Sequence, residues 1–456
     1  MIETTYKFLH LANYKDIPNW SVQYAGEGNF GFTTKFPWAR IGSFLTKSRD
    51  IIEIQNNSEY RQTTIKINNG GVFPRNNGKT IKGSNIGTKR QYIVHTGQFI
   101  MSKIDARNGA YGIVPEELEG AVVTNDFPIF YVDTHKIKPQ FLVLVSTTEK
   151  FIEFARKCSS GTTNRKRIDI NAFLQQQIPL PSLDEQKNIL EEYNRKLRDS
   201  KKMLDRIQSL KEEKHNYLKR ECAFANKKTV SGGLLNFISY NEISRWDAPF
   251  YMIKNQIVSK YATKPIGALL EFFMCDRLSS LRMETKNTPN TFYHYIGMEN
   301  VAKDEGCLVN LPMVKGSEIK SQTIRVPRNY IIYGKLRPYL NKYWVNNTDF
   351  EDIVCSSEFF CFKPIQTIDT DYFMYILSSY IIQDQISEVM SGARMPRIDE
   401  KIFKSLAIPV PNRNIQVKIA RTLKLIDGEI AQLKENAKIL RKEAINYFTK
   451  NLFEEN

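Results

Sequence analysis

Residues 167–181 read RIDINAFLQQQIPLP, and residues 397–411 read RIDEKIFKSLAIPVP, at a shift of 230 positions. The two stretches share Arg-Ile-Asp, a phenylalanine five residues after the isoleucine, and an Ile-Pro-x-Pro end, all in the same order. Unlike residues that recur at one fixed offset indicate a duplicated structural unit. We therefore expect two homologous units of roughly 210 residues, each large enough for a core of its own.

Further blocks repeat in the same order at nearly the same shift. They are residues 14–20 with 240–246, 41–45 with 266–270, 100–104 with 332–336, and 124–130 with 356–362. Within each unit, β-branched and aromatic runs alternate with Gly, Asn and Pro, a pattern typical of short strands. Helical patterns follow at residues 139–155 and 371–389. The predicted fold class is α+β, as a pseudo-twofold internal repeat of two similar globular domains.

The sequence after each Ile-Pro-x-Pro end changes from a strand pattern to a helix pattern. Ser182 and Glu185 form a capping box that predicts a helix start, and Asn412 or Asn414 supplies the second start. The predicted organisation is a first globular domain at residues 1–181, a helical spacer at 182–225, a second globular domain at 226–411, and a second helical spacer at 412–456.

Apolar residues in both spacers recur in steps of three and four, which is the period of a coiled-coil seam. The first seam interposes the polar residues Lys196, Ser200 and Lys214. We expect the two helices to pack antiparallel and to hold the two domains apart; the alternative is that each helix joins a separate bundle within its own domain. The apolar seam residues are Ile189, Tyr193, Met203, Ile207 and Leu210 in the first helix, and Ile419, Leu423, Ile426, Ile430, Leu433 and Leu440 in the second.

The charge balance favours a polyanionic partner. The chain has 65 Lys and Arg against 49 Asp and Glu, a net charge of +16 and a pI near 9.3. Nucleic acid is the leading partner and a membrane surface the second. No apolar run has the length of a membrane span and the N-terminus lacks a signal-peptide pattern, so we expect a soluble, cytoplasmic protein without a membrane partner. The six cysteines lack metal-site spacing, and we expect them to be reduced and structural.

Basic residues and asparagines cluster with turn-forming residues in both globular domains. Arginine suits guanine edges, asparagine suits adenine, and lysine suits phosphates. The alternative for any one of them is an ordinary solvated surface charge. The predicted DNA-binding residues are Arg75, Lys79, Lys82, Lys89, Arg90, Lys103, Arg107 and Asn108 in the first domain, and Arg277, Arg282, Lys335 and Arg337 in the second.

Catalytic motifs are not recognised in the sequence, so we expect no catalytic or metal-binding residues. Residues 71–80 contain two glycines and a Gly-Lys-Thr, but six residues separate the glycines where a phosphate-binding loop has four, and Pro74 removes an amide. The sequence has no Asn/Asp-Pro-Pro-aromatic or Pro-Cys segment of a methyltransferase, and no glycine-rich cofactor loop. Glu-x-Lys triplets at 185–187 and 212–214 lie on the predicted helix, where alternating charges are typical of an exposed face.

Residues 161–186, with Arg167, Asp169, Phe173, the Ile-Pro-Leu-Pro end and Asp184-Glu-Gln186, resemble the junction between a target-recognition domain and a helix in type I restriction-modification specificity subunits. Residues 391–416 carry the second copy. The resemblance implies that each domain recognises one half of a bipartite site in double-stranded DNA and that the helices set the spacer. It also implies that the helices dock two modification (methyltransferase) subunits, which bind S-adenosylmethionine, and that restriction (motor-nuclease) subunits use ATP and Mg.

One departure at the second helix start and two rival hypotheses accompany this interpretation. Arg413 and Ile415 stand where the first copy has Leu183 and Glu185, so the second helix start lacks the capping carboxylate. The first rival is a self-sufficient restriction-methylation enzyme, which would bind S-adenosylmethionine itself. The second is a nonspecific architectural protein, whose DNA binding would vanish uniformly as salt rises.

Overall fold

The computed structural model describes residues 34–67, 71–157, 159–160, 167–230, 237, 239, 253–273, 282–283, 285–320, 322–389 and 396–453. The chain divides into two compact units. The first comprises Met1–Met203 and Glu435–Asn456, and the second comprises Leu204–Lys434. The repeat blocks at 14–20 and 240–246, and the predicted DNA-binding residue Arg277, lie outside the described residues.

The first unit combines short strands with three short helices and part of a long helix. Its strands are β1 (Trp38–Arg40), β2 (Leu45–Lys47), β3 (Ile51–Glu53), β4 (Glu59–Tyr60), β5 (Thr63–Lys66), β6 (Gly71–Pro74), β7 (Ile81–Lys82), β8 (Arg90–Ile93), β9 (Phe99–Met101), β10 (Tyr111–Ile113), β11 (Val122–Val123), β12 (Ile129–Val132), β13 (Ser159–Ser160), β14 (Arg167–Ile168) and β15 (Gln177–Pro179). Its helices are α1 (Pro139–Thr147), α2 (Glu149–Lys157), α3 (Ile170–Gln175) and the start of α4 (Leu183–Cys222).

The second unit also has short strands followed by short helices, but its sheets differ in part from those of the first. Its strands are β16 (Ala225–Val230), β17 (Ile253–Val258), β18 (Thr263–Pro265), β19 (Leu270–Phe273), β20 (Arg282–Met283), β21 (Phe292–Ile296), β22 (Met313–Lys315), β23 (Thr323–Arg325), β24 (Ile331–Gly334), β25 (Tyr343–Val345), β26 (Ile353–Ser356), β27 (Phe359–Pro364) and β28 (Ala407–Pro409). Its helices are the end of α4, from Leu204, then α5 (Thr370–Leu377), α6 (Tyr380–Val389), α7 (Glu400–Ser405) and the start of α8 (Arg413–Leu452), up to Lys434.

Sheet topology confirms the duplication and the α+β class. A four-stranded antiparallel sheet has the order β10-β9-β12-β2 in the first unit and β25-β24-β27-β19 in the second. Each unit also pairs a strand before this sheet with the Ile-Pro strand, β1 with β15 and β18 with β28. Asp169 and Asp399 cap the equivalent helices α3 and α7 by accepting backbone N–H bonds.

The strands outside this shared framework differ between the units. The first unit has a three-stranded sheet, β11-β8-β3, with the hairpin-like pairs β4–β7 and β5–β6. The second has a five-stranded sheet, β20-β23-β26-β21-β22, in which β21 and β26 run parallel. The two units therefore share one framework and differ in the strands around it.

Two predicted helices are each broken into two. Residues 139–155 form α1 and α2, because Thr148 is extended and its N–H and hydroxyl both bond the Val145 carbonyl oxygen, ending the first helix. Residues 371–389 form α5 and α6, which are separated at Ser378 and Ser379. Ser379 donates its hydroxyl to the Ile376 carbonyl oxygen, a local bond that competes with helix continuation.

Both long helices start at the predicted caps. The Ser182 hydroxyl accepts from the Glu185 N–H at 3.3 Å while the Glu185 carboxylate accepts from the Ser182 N–H at 2.9 Å, so the capping box is confirmed. The second helix uses Asn412, whose side-chain oxygen accepts from the Ile415 N–H at 3.1 Å. Arg413, which stands where the first copy has Leu183, bonds the carbonyl oxygen of Gln366.

Within each unit, a segment of α4 pairs antiparallel with a segment of α8. In the first unit Lys196 contacts Glu443 at 2.9 Å and Ser200 contacts Ala437 at 3.0 Å, so rising numbers in one helix meet falling numbers in the other. In the second unit Arg206 meets Glu429 at 3.3 Å and Lys214 meets Asp427 at 2.8 Å. The alternative of separate bundles does not describe these segments.

The seam residues occupy the core side of the paired helices. In the first unit Ile189 is buried and Tyr193 packs against the domain core together with residues of the end of α8. In the second unit Ile419 and Leu423 are fully buried in the domain core. A separate small cluster consists of Ile207, Leu210, Ile426, Ile430 and Leu433. Met203 and Leu440 are half-buried.

Candidate nucleic-acid interface

A tight loop between β6 and β7, residues 75–80 and here called the arch, carries the first group of predicted DNA-binding residues together with Lys82 at its end. Asn76 and Asn77 have φ values of 53° and 55°, and Gly78 has 81°, so three consecutive residues are left-handed. Asparagine and glycine are the residues that adopt this conformation at low cost. The turn leads into strand β7 and not into a helix, which confirms the surface-loop prediction over a phosphate-binding loop.

The base of this arch is fixed while its tip faces solvent. The Arg75 N–H donates to the Gln62 carbonyl oxygen at 2.8 Å, and the Thr80 hydroxyl donates to Glu59 at 2.6 Å. Arg75, Lys79 and Lys82 are all exposed. The arch therefore presents three cations and two asparagine amides on a braced backbone, an arrangement able to contact phosphates and base edges.

Lys89 and Arg90 are neighbours in sequence but differ in environment. The Lys89 ammonium is half-buried and donates to the Asn56 side-chain oxygen at 2.8 Å and to the Gly83 carbonyl oxygen at 2.7 Å. Arg90 lies on β8 opposite Glu53 and is exposed. Lys89 thus braces the loop that ends β7, whereas Arg90 is available to a partner.

The second group lies just after β9. Asn108 is exposed at the end of a 3-10 turn, Ala106–Asn108, which closes on Gly109 with φ 74°. The Arg107 carbonyl oxygen accepts from Arg156 at 3.4 Å. Lys103 is half-buried, and partial burial, aided by the neighbouring Lys47, lowers the pKa of its ammonium.

Sequence reasoning missed Arg167 as a candidate, although its repeat at position 397 was visible. Arg167 forms a two-bond pair with the Asp126 carboxylate, at 3.1 and 3.2 Å. This bond lowers the pKa of the Asp126 carboxyl. The backbone of Lys103 holds it next to this pair. The Lys103 N–H donates to the Asp126 carbonyl oxygen, and the Lys103 carbonyl oxygen accepts from the Ile168 N–H.

The second unit builds the equivalent cluster from Lys335, Glu358 and Arg397. Arg397 contacts both oxygens of the Glu358 carboxylate at 2.8 to 3.3 Å. The Lys335 N–H donates to the Glu358 carbonyl oxygen, and the Ile398 N–H donates to that of Lys335. The Lys335 ammonium donates to the Ser357 carbonyl oxygen at 2.8 Å and lies 5.0 Å from the centre of the Phe360 ring.

The remaining predicted residues of the second unit are less fully placed. Arg337 is half-buried in the left-handed region, with φ 47°, and its N–H donates to the Pro396 carbonyl oxygen at 2.7 Å. Its Nε atom is buried and has no hydrogen-bond partner within the described residues. For Arg282 the structure describes the backbone, in β20, and not the side-chain environment.

The described residues offer little for small-molecule chemistry. No group of three or more His, Cys, Asp or Glu side chains in them could hold a metal ion. A pocket of about 170 Å³ beside Trp344, Asp371 and Lys424 is below the size typical of cofactor sites. No helix in the described part of the chain is long and apolar enough to cross a membrane.

Comparisons with known proteins point in one direction. A family model described as the type I restriction modification DNA specificity domain matches residues 40–198 and 259–441, so two copies cover most of the chain. No curated protein matches.

Solved structures of low sequence identity cover nearly the whole chain. A chain from a structure of complex assembly and conformational transition of a type I R-M system is 14% identical, with a TM-score of 0.54, and covers 92% of this chain and 98% of that chain. The HsdS subunit from Thermoanaerobacter tengcongensis is 16% identical, with a TM-score of 0.42 and coverages of 93% and 98%. The type I S subunit from M. genitalium is 15% identical, with a TM-score of 0.44 and the same coverages. The first of these likenesses shows a shared fold.

Proposed function

Because the chain belongs to the type I restriction-modification DNA specificity family, with two copies of the family's domain, we propose that it recognises a bipartite DNA site, one half through each copy. The family supplies DNA recognition and not catalysis, so this chain is a non-catalytic specificity subunit that recognises DNA. The rival of a self-sufficient enzyme is therefore set aside.

The observation that carries the proposal is a shared framework with divergent surroundings. Both units have the same four-stranded sheet, but the first adds β3, β8 and β11 where the second adds a five-stranded sheet. A duplicated reader whose framework is kept and whose added strands differ is suited to two different half-sites. Each unit then reads one half of an asymmetric site.

In the first unit we assign base and phosphate contacts to the arch and its neighbours. Arg75, Lys79, Lys82, Arg90 and Asn108 are exposed. Arg107 lies with Asn108 in the turn Ala106–Asn108, and Lys103 lies between β9 and that turn. Lys89 acts through the loop that it braces. In the second unit Lys335 and Arg337 precede the 3-10 turn Pro338–Leu340, and Arg277 and Arg282 complete the proposed set.

Mapping methylated adenines in cells with and without the chain tests this function. We expect one bipartite motif to be methylated only when the chain is present. The double substitution Arg75→Ala with Lys79→Ala should relax or weaken recognition in one half of that motif and leave the other half unchanged. Lys201→Ala with Lys211→Ala, which removes two exposed cations from α4, is the matched control. A motif that is continuous, or loss in both halves alike, would refute the division of the site.

We further propose that the long helices dock two modification subunits. Helix α8 bears exposed apolar side chains, with Leu425 71% and Ile445 56% exposed, and Val417 and Ile439 44% each. We propose that a modification subunit covers them, because contiguous apolar surface marks protein-interaction sites. Leu425→Glu should abolish co-purification of the methyltransferase subunit without changing the melting temperature of the chain. Lys438→Glu, on the same helix, is the control for added negative charge.

The cofactors of the system are proposed to reside in the partners. S-adenosylmethionine belongs to the modification subunits, and ATP and Mg belong to the restriction subunits, all acting on DNA in the cytoplasm. Calorimetric titration of the isolated chain with S-adenosylmethionine should give no binding heat, whereas the complex with modification subunits should bind it. Micromolar affinity of the isolated chain would contradict this assignment.

A further inference from the structure

The two units differ in the strands proposed to read bases, yet they keep one charged cluster in common. Lys103, Asp126 and Arg167 of the first unit match Lys335, Glu358 and Arg397 of the second. Both clusters have the same backbone bonds, from the lysine N–H to the acid's carbonyl oxygen and from the residue after the arginine to the lysine's carbonyl oxygen. The repeat is therefore of geometry as well as of residue type.

Each arginine is held in place but not buried. The side chains of Arg167 and Arg397 are 53% and 54% exposed. Each uses Nε and Nη2 on its carboxylate, which occupies two of the five N–H donors of a guanidinium. The carboxylate thus fixes the plane of the guanidinium while other donors point away from it.

The charge around the first cluster remains positive. The Lys103 ammonium lies close enough to Lys47, Asp126 and Arg167 for their charges to act on it, and both Lys103 and Arg167 act on the Asp126 carboxylate. The Asp126 carboxylate therefore neutralises only part of the cluster. An exposed, oriented arginine within net positive charge is suited to a phosphate oxygen.

A contact shared by two domains that read different sequences must go to a part of DNA that is the same everywhere. That part is the sugar-phosphate backbone, which positions a protein without carrying sequence information. We propose that Arg167 and Arg397 are phosphate-contact residues that anchor each unit on its half-site independently of sequence, with Asp126 and Glu358 as the positioning residues that orient them. This inference rests on the proposed function.

Fluorescence anisotropy with a random-sequence duplex and with a duplex carrying the mapped site tests the anchor. Arg167→Ala should weaken both affinities by the same factor, so the ratio between the two duplexes is unchanged. For this variant, the slope of log affinity against log salt concentration should be shallower than in the wild type by about 0.9. The factor by which affinity falls between about 50 and 200 mM salt should therefore be about threefold smaller. Arg397→Ala should act likewise.

The positioning carboxylate distinguishes a phosphate contact from a purely structural ion pair. Asp126→Asn removes a negative charge beside the arginine and should strengthen binding to the random duplex at low salt, opposite in sign to Arg167→Ala. A structural pair predicts that both substitutions weaken binding, or that neither does. Arg167→Gln removes the charge but keeps a polar side chain, so it should make the salt slope shallower as Arg167→Ala does, and it decides the matter if Arg167→Ala fails to fold. Arg167→Lys keeps the charge and should retain the wild-type slope.

Arg195→Ala is the matched control. Arg195 forms the same kind of exposed two-bond pair, with Glu192 at 2.7 and 2.8 Å, but on helix α4. Its loss should leave DNA affinity and salt slope unchanged. An equal effect of Arg195→Ala and Arg167→Ala, or a change in the specific-to-random ratio, would overturn the anchor. A wild type without preference for the mapped duplex would instead refute the proposed function.

Discussion

The Ser200 hydroxyl donates to the Ala437 carbonyl oxygen at 3.0 Å, and both residues are buried, with 1% and 2% of their surface exposed. The bond joins α4 to α8 within the first unit. Two small side chains at this point let the backbones approach closely, and the hydroxyl finds an acceptor that is already part of the partner helix. The polar Ser200 is thus accommodated in an apolar seam because its hydroxyl has a hydrogen-bond partner there.

Replacing Ser200 by leucine restores the apolar seam pattern but should destabilise the protein. A leucine side chain is larger than the buried serine that faces Ala437, and overpacking of this kind lowers the free energy of unfolding by about 1–3 kcal/mol. Ser200→Ala removes only the hydrogen bond and should cost about 0.5–1.5 kcal/mol. Urea unfolding followed by circular dichroism measures both. A leucine variant more stable than the wild type would show that the helices are not closely packed here.

Gln186 should be essential to the junction between the first domain and α4. It is fully buried, accepts from the Lys138 N–H at 2.8 Å, and donates to the Lys136 and Pro181 carbonyl oxygens at 3.0 and 2.8 Å. Gln186→Leu leaves these groups unsatisfied, at about 1–3 kcal/mol each before relaxation. We expect the Lys138 amide to lose protection in hydrogen exchange. Gln208→Leu, at an exposed position of α4, should leave that amide unchanged.

Gln416 shows that this junction is duplicated along with the domain. It accepts from the Asp369 N–H at 2.8 Å and donates to the Pro411 carbonyl oxygen at 2.9 Å, as Gln186 does with Lys138 and Pro181. The glutamine itself was part of the resemblance at sequence level. Its bond to Asp369 was not predictable, because that residue lies 47 positions away and the contact depends on how the domain folds back on its own helix.

The predictable part of the fold came from regular periods and local signals. Seam residues such as Leu423, the capping pair of Ser182 and Glu185, and the repeated Asp169 and Asp399 caps all depend on spacings of a few residues. Non-local pairs were beyond this reasoning. The Lys214 ammonium lies in the seam because Asp427, 213 positions away, accepts from it at 2.8 and 2.9 Å.

The candidate site was predicted only in outline for the same reason. Exposed cations on the arch, such as Arg75, follow from the turn-forming asparagines beside them. The inward direction of Lys89 does not, since its acceptors are Asn56 and Gly83, brought near by the pairing of β4 with β7. Basic residues alone do not reveal which of them brace a loop and which face a partner.

Gly83→Ala should disturb recognition of one half-site. A Cβ atom at Gly83 would lie 2.0 Å from the Gln55 carbonyl oxygen, so the loop that follows Lys82 must shift. We expect weaker or altered recognition by the first unit and unchanged recognition by the second, measured with duplexes altered in one half at a time. Gly87→Ala is the control, because a Cβ there meets nothing within 4 Å. Equal behaviour of the two variants would contradict a role for this loop.

Glu119 should make the stability of the first unit sensitive to acid. Its carboxylate accepts from the Thr96 N–H at 2.6 Å and contacts His95 Nδ1 at 2.7 Å, and these bonds lower the pKa of Glu119 from 4.5 to about 2. A pKa lowered in the folded state contributes stability that is present above the unfolded value and is lost as protons bind. The contribution should thus be complete above pH 4.5 and vanish as the pH falls to about 2.

Comparison of the wild type with Glu119→Gln isolates this contribution, because the amide can still accept from Thr96 but does not titrate. The difference in unfolding free energy between the two proteins should be constant above pH 4.5 and should shift against the wild type between pH 4.5 and about 2. Carbon NMR of the Glu119 carboxyl should give a midpoint near 2. Parallel stability curves throughout that window would mean that the bonds to Thr96 and His95 do not hold the carboxylate in its charged form.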